Sequence, residues 1–247
     1  MPQPEISPEI SVVIPCKNES ENLAILLDEV DEALQGRVFE VIVISDGSTD
    51  TTGDILNARI RSGAAHLRHI SHDKSAGQSA AVRSGVFAAR GKVIATIDGD
   101  GQNNPIYIPA LVDALKNGGA RAGIAAGQRL KRTDTKLKQY SSRFANWLRQ
   151  KMLADGTRDS GCGLKAVHAD LFRALPFFDG WHRYLPALVM REGYSVVHLD
   201  VTDRSRRFGQ SNYGILDRGL RGALDLIGVW WLRKRRKVVP AATEVRP

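Results

Sequence analysis

Residues 39–62 read FEVIVISDGSTDTTGDILNARIRS, and this stretch decides the fold class. Its opening, FEVIVIS at 39–45, is a continuous apolar and largely β-branched run of the length a buried strand takes. A DGSTD turn follows, and then a helical stretch around 51–62. A strand without polar alternation must be covered on both faces, and a parallel neighbour requires a helical crossover. The segment therefore reads as one strand–helix step of an α/β fold.

The same step recurs on either side. Upstream, ISVVI at 10–14 is a short apolar strand ended by Pro15, and Asn18 with Glu21 resembles a capping box opening an amphipathic helix through about Leu34. Downstream, HLRHI at 66–70 reads as a strand, 78–90 suits a helix, and KVIATI at 92–97 is a buried strand. Pro105 belongs to the first turn of the next helix. This alternation implies right-handed crossovers and a mostly parallel sheet flanked by helices. Beyond residue 127 the pattern loosens into a basic amphipathic helix at 134–153, a Gly-rich loop at 156–163, two helices and the strand YSVVHLDV. The aromatics of the 134–153 helix are expected in ordinary core packing. A last helix over 213–232 ends in LIGVWWL followed by RKRRK, and this second half is expected to shape an acceptor site.

Bulk properties narrow the function classes. The chain has 247 residues, 43% of them hydrophobic, enough for one sizeable core, and no linker, repeat or low-complexity run divides it. Its two cysteines, Cys16 and Cys162, exclude a disulfide framework and lack paired metal-ligand spacing, which points to a reducing compartment. The N-terminus MPQPEISPEI has no basic start and apolar run of a secretory signal, so a cytoplasmic location is expected. Net charge is +8, and ten cations against three aspartates between Asp203 and Lys237 supply +7 of it. Such a tail admits nucleic acid, anionic lipid or phosphorylated ligands as partners. The apolar stretch beside it is much shorter than the roughly 20 residues a bilayer-spanning helix needs. Trp230 and Trp231 next to five consecutive cations suit headgroup depth, so peripheral contact with the inner face of the cell membrane is expected. His66, His69 and His72 form the only histidine cluster, and strand geometry sets neighbours on opposite faces, so no metal role falls to them.

In an open parallel sheet, ligands bind beyond the carboxyl ends of the strands. After KVIATI comes DGDGQ, which sets Asp98, Asp100 and Gln102 on one short loop. Hard oxygen ligands at alternate positions suit Mg²⁺ or Mn²⁺ with positions left open for diphosphate oxygens. Taken alone, an acidic turn after a strand is as often plain solvated surface. ISDGSTD at 44–50 offers Asp46 to a nucleobase or ribose, although Ser48 or Asp50 also reads as a simple helix cap. Pro15 to Glu19, Asp46 and Asp98 to Gln102 all follow strands, as one shared rim requires.

These residues resemble the family 2 glycosyltransferases of GT-A fold, and more narrowly the polyprenyl-phosphate and dolichyl-phosphate glycosyltransferases. SVVIPCKNESENL, VISDGSTDTT, IDGDGQNNP and RRFGQSNYG match the family's motifs in order, across roughly residues 10–215. The resemblance implies a nucleotide-sugar site at Pro15, Glu19, Asp46, Asp98, Arg206 and Ser211, and a metal held by Asp98, Asp100 and Gln102. It makes Asp98, Asp100, Asp159 and Arg206 catalytic, Asp159 lying in DSGCGL near a sugar. It further implies a GT-A catalytic domain over 1–212 with a basic membrane-proximal helix and tail over 213–247. The implied reaction is inverting transfer from a UDP- or GDP-sugar to a polyprenyl phosphate, with Mg²⁺ or Mn²⁺ as cofactor. A membrane partner protein is a further implied contact, because relatives of this kind often carry transmembrane helices after the catalytic domain. Cys16-Lys17, Ser45 and Asn212 depart from the family's commoner residues and bear on base and donor choice. Rival readings are a saccharide acceptor, a nucleotidyltransferase, and a basic nucleic-acid binder. PCKNES lacks the Gly-rich phosphate loop of the second, and no recognised nucleic-acid motif supports the third.

Overall fold

The computed structural model describes residues 7–130, 148–204 and 215–238, together with 240 and 242–244. Along the chain run β1 (Ile10–Cys16), α1 (Ser20–Ala33), β2 (Phe39–Asp46), α2 (Thr52–Arg61), β3 (Leu67–His72), α3 (Gln78–Ala88), β4 (Val93–Thr96) and α4 (Tyr107–Asn117). Next come β5 (Ala122–Arg129), a helical segment α5 described over 148–153, β6 (Lys165–His168), α6 (Ala169–Ala174), α7 (Leu185–Arg191), β7 (Ser195–Val201) and α8 (Ile215–Lys234). The seven strands form one sheet in the order β3-β2-β1-β4-β6-β5-β7. Neighbours pair in parallel except β6, which runs antiparallel to both β4 and β5.

The expected mostly parallel α/β sheet is therefore present, with seven strands in place of the five foreseen. All of β1 is buried and β2 is buried from Glu40 on, which is why these two read as unbroken apolar runs. Successive side chains go to opposite faces. Ile10, Val12 and Ile14 meet α1, α2 and α4 on one side, while Val13, Ile42 and Ile44 meet α3, α6 and α7 on the other. Each such fully buried aliphatic side chain contributes about 1.5–3 kcal/mol, and the two half-cores hold the central strands in fixed register.

Three local expectations differ. β1 does not stop at Pro15 but runs through it to Cys16, pairing Pro15 with Ile44 of β2. The N and O of one strand residue point the same way, and the Pro15 carbonyl faces β4, accepting from Gly99 at 3.3 Å. β4 ends at Thr96 opposite Val13, so the missing N–H of Pro15 interrupts no ladder. The Asn18/Glu21 capping box is not made: Asn18 sits at φ 55° and accepts from Thr49 N at 2.8 Å, while the N–H of Ser20 is received by Asp50 of the next loop at 3.3 Å. Pro105 precedes α4 by two residues and starts it with a single turn, Ile108 N to Pro105 O at 2.8 Å. Most of the helix foreseen at 134–153 lies outside the described residues.

Candidate active site

The carboxyl ends of β1, β2 and β4 open on one edge of the sheet, and their loops are stitched together. Asn18 N donates to Ser48 Oγ at 3.1 Å and Glu19 N to Thr52 Oγ1 at 3.1 Å, so the Pro15–Glu19 turn is fastened to the DGSTD turn. Glu19 in turn accepts from Asn22 Nδ2 at 2.7 Å. The Gly99 N bond to Pro15 ties in the DGDGQ loop. Three sequence-predicted segments are thus brought to one rim.

Asp46 lies at that rim but is turned inward, 4% exposed. Its Oδ1 accepts from His72 Nδ1 at 2.7 Å and Ala76 N at 2.9 Å, and its Oδ2 from Ser75 Oγ and Gly77 N, each at 2.8 Å. Burial pushes its pKa up, but these four bonds outweigh burial and hold it below the ordinary 3.8. In this arrangement Asp46 anchors the 73–77 loop, and a nucleoside contact would have to replace one of its four partners. His72 Nε2 meets Ser84 Oγ at 2.9 Å, His66 pairs with Asp31 and His69 with Asn57, so the three histidines serve separate local contacts.

Asp98 and Asp100 project from the loop after β4. Asp98 Oδ1 accepts from Gln78 Nε2 at 2.7 Å, at the start of α3. Asp100 Oδ1 accepts from Gln102 N at 3.1 Å, so Gln102 enters through its backbone. The other side of Asp98 is closed by Gly163. A Cβ there would stand 2.5 Å from Asp98 Oδ2 and 2.6 Å from Asn103 Oδ1, so only glycine permits this approach. Burial and then the Asp100 carboxylate push the pKa of Asp98 up to about 6, against the opposing pull of Lys165 and Arg129. Asn103 Oδ1 is buried beside it with no hydrogen-bond donor among the described residues.

Two crowded carboxylates and an amide oxygen with no donor among the described residues are hard-oxygen groups of the kind a divalent cation takes. Among the described residues no group of three or more Asp, Glu, His or Cys side chains could hold a metal by itself. The chain therefore offers a partial ligand set of the kind that Mg²⁺ or Mn²⁺ completes with phosphate oxygens and water.

A second layer, without local sequence signal, holds this loop. Arg129 at the end of β5 clamps Asp159 through Nε and Nη2, the latter at 2.9 Å, and reaches Asp203 at 3.0 Å. Asp203 receives Asn103 Nδ2 at 2.9 Å. Its bonded pairing with Asp159 raises the pKa of Arg129 beyond its ordinary range. Lys165 of β6 is 5% exposed, donates to Cys162 O, and has its pKa lowered by burial. Arg204 grips Glu29 of α1 in a two-pronged pair at 2.6 and 2.7 Å and bonds Asn103 O at 3.0 Å. Its own N–H reaches Gln102 O at 2.9 Å. Burial pushes the Cys16 thiol up to about 12 and the Cys162 thiol up to about 11, which leaves both as packing groups. Asp98, Asp100, Gln102 and Asp159 are thus brought together, with Pro15, Glu19 and Asp46 on the adjoining rim. Arg206 and Ser211 lie outside the described residues.

The chain is similar to known proteins in sequence and in fold. Residues 11–175 match the family described as Glycosyl transferase family 2. Dodecaprenyl-phosphate galacturonate synthase of Rhizobium johnstonii is 34% identical over 239 residues, which cover 94% of this chain and 69% of that protein. Undecaprenyl-phosphate 4-deoxy-4-formamido-L-arabinose transferase of Yersinia enterocolitica is 28% identical over 218 residues, 87% of this chain and 66% of that one. The chain spans no more than 69% of the length of either. Among solved structures, glucosyl-3-phosphoglycerate synthase from Mycobacterium tuberculosis, crystallised with Mn²⁺, UDP and glucosyl-3-phosphoglycerate, superposes with a TM-score of 0.64. It is 22% identical, over 92% of this chain and 80% of that one, a likeness of fold.

Proposed function

We propose that this chain, which belongs to glycosyl transferase family 2 and is a glycosyltransferase of GT-A fold, moves a sugar from a nucleotide sugar to a polyprenyl phosphate. The observation that carries the reading is the DGDGQ loop, where the Asp98 and Asp100 carboxylates crowd each other beside the buried Asn103 Oδ1. The polyprenyl acceptor rests on the two bacterial relatives, whose names join a sugar to dodecaprenyl and undecaprenyl phosphate.

In this reading Asp98 and Asp100 hold Mg²⁺ or Mn²⁺, with Gln102 shaping the loop. The ion, when bound, would neutralise the diphosphate of the leaving nucleotide. Pro15, Glu19 and the turn anchored by Asp46 cradle the nucleoside of a UDP- or GDP-sugar. Arg129 fixes the Asp159 carboxylate at the sugar side of the loop. Arg206 and Ser211 are assigned to phosphates on the RRFGQSNYG match alone. A phosphate monoester is largely dianionic at neutral pH, its second pKa being about 6, so the acceptor needs no general base. In-line attack at the anomeric carbon inverts its configuration. Residues 1–212 make up the catalytic domain, and 213–247 the helix and tail that meet the inner face of the membrane.

The test is transfer of labelled sugar from a panel of UDP- and GDP-sugars to short-chain polyprenyl phosphate, with Mg²⁺, with Mn²⁺ and with EDTA. A mild-acid-labile labelled lipid formed only with metal is the expected result. Transfer to saccharides with none to lipid would refute the acceptor, and pyrophosphate release from a nucleoside triphosphate would refute the reaction class.

A further inference from the structure

Among its described side chains, from Gly222 on, α8 presents two apolar sides. One packs on the molecule: Leu226 and Val229 are 7% and 0% exposed and join the core around α7. The other faces solvent, with Leu224, Ile227 and Trp231 at positions i, i+3 and i+7, at 63%, 55% and 54% exposure. Trp230, 39% exposed, widens this stripe, and no charged side chain interrupts it. A helix that is apolar on opposite sides belongs between two apolar surroundings or at a boundary. No helix among the described residues is long and apolar enough to cross a membrane.

We propose that this solvent-facing side of α8 docks flat into the headgroup layer of an anionic bilayer, an inference that deepens the membrane contact proposed above and rests on it. The stripe runs directly into five consecutive cations, Arg233 to Lys237, of which Lys234 and Arg235 continue its exposed face. Indole rings seat at headgroup depth while adjoining cations pair with lipid phosphates. A second copy of the chain would instead bring two such cationic runs together, which like-charge repulsion opposes.

The helix is also coupled to the candidate active site. Tyr184 donates to Gly222 O at 3.0 Å, and Gly180 abuts Asp225 so closely that a Cβ would stand 2.8 Å from its Oδ2. Gly180 N bonds Ser79 Oγ at 2.8 Å, next to Gln78, which holds Asp98. Docking α8 therefore sets how far the DGDGQ loop stands from the layer where an acceptor lipid carries its phosphate.

The full chain is mixed with vesicles of phosphatidylcholine alone or with phosphatidylglycerol, and binding is read by sedimentation and by quenching of tryptophan emission by shallowly brominated lipid. Binding to the anionic vesicles, with quenching, is expected. Ile227→Ser with Trp231→Ser should lower it at least about tenfold and abolish the quenching, because both side chains are already exposed and carry the insertion. Lys234→Gln with Arg235→Gln should remove the preference for anionic lipid, and added salt should do the same. Equal binding by the Ile227/Trp231 variant overturns the proposal, as does absence of binding with concentration-dependent dimers that Trp231→Ser dissolves. Transfer to a short-chain, water-soluble acceptor is measured in parallel and should be unchanged in both variants. Vesicle binding without transfer to any polyprenyl phosphate would refute the transferase reading and leave the docking surface standing.

Discussion

At Asp98 two demands oppose each other: the side chain is packed against Gly163 and Gln78, yet it stands beside the Asp100 carboxylate. In the reading proposed above, a bound divalent cation would offset that repulsion. Asp100→Asn is expected to leave the fold intact and to lower metal-dependent transfer at least about a hundredfold, since such an ion is worth several kcal/mol in the transition state. Rates within a few-fold of wild type with saturating Mn²⁺ would remove Asp100 from the metal site. Asp46 makes a different kind of prediction. Asp46→Asn sets an amide N–H₂ where Ser75 or Gly77 donates, which should destabilise the chain by about 1–3 kcal/mol. Because the folded pKa of Asp46 is depressed, its contribution is fully present above the ordinary 3.8 and is lost as pH falls through the folded value. The gap in urea midpoint between wild type and variant should therefore be widest near neutral pH and close on acidification. A gap independent of pH would show that packing, and not the carboxylate's hydrogen bonds, is what the variant removes.

Among the elements, α3 is the one whose position matters most to the site, since its first residue holds Asp98 and its middle lies on the sheet. Gly85 allows that approach: a Cβ there would meet Val13 Cγ1 at 2.4 Å and Ile44 Cδ1 at 2.7 Å, both fully buried. Gly85→Ala should lower stability by about 1–3 kcal/mol, and each kcal/mol corresponds to roughly 2–4 °C of Tm at this chain length. An unchanged Tm would mean that α3 shifts freely, and transfer activity should then fall instead. Which elements could be read beforehand follows from the same packing. β1, β2 and β4 are buried on both faces and so carry β-branched runs. β5, AGIAAGQR, is equally buried but built from small residues, because Gly123 and Gly127 lie against Tyr194, Val189, Cys162 and Leu164, and this left no strand signature. β6 has only four residues, KAVH, too few for any periodicity. The capping box failed for a related reason: Asn18 is drawn into a contact across loops, which no window of neighbouring residues can foresee.

For the whole molecule, a donor site that assembles three loops should make global stability depend on ligand. UDP with Mn²⁺ at about 100 times the dissociation constant should add about 2.7 kcal/mol to unfolding, read as a rise in Tm that EDTA abolishes. A Tm insensitive to both would argue against a donor site on this rim. The parts of the site legible in sequence are those lying within one loop, Asp98 to Gln102 above all. The parts that were not, Arg129, Lys165, Asp203 and the Arg204–Glu29 clasp, reach the loop from roughly 30 to 100 residues away in sequence and carry no motif of their own. That separation has a consequence for the order in which the molecule is made. Strands β3-β2-β1-β4 are complete once residue 96 has been synthesised, and they can associate as a half-sheet. The far edge of β4 must wait for β6, and the DGDGQ loop for Asp203 and Arg204, more than 100 residues later. A nascent chain can thus form the half-sheet that carries the Pro15–Glu19 and DGSTD turns early, while the DGDGQ loop is pinned only once residues 203 and 204 have been made, so that its final shape waits on the second half of the fold.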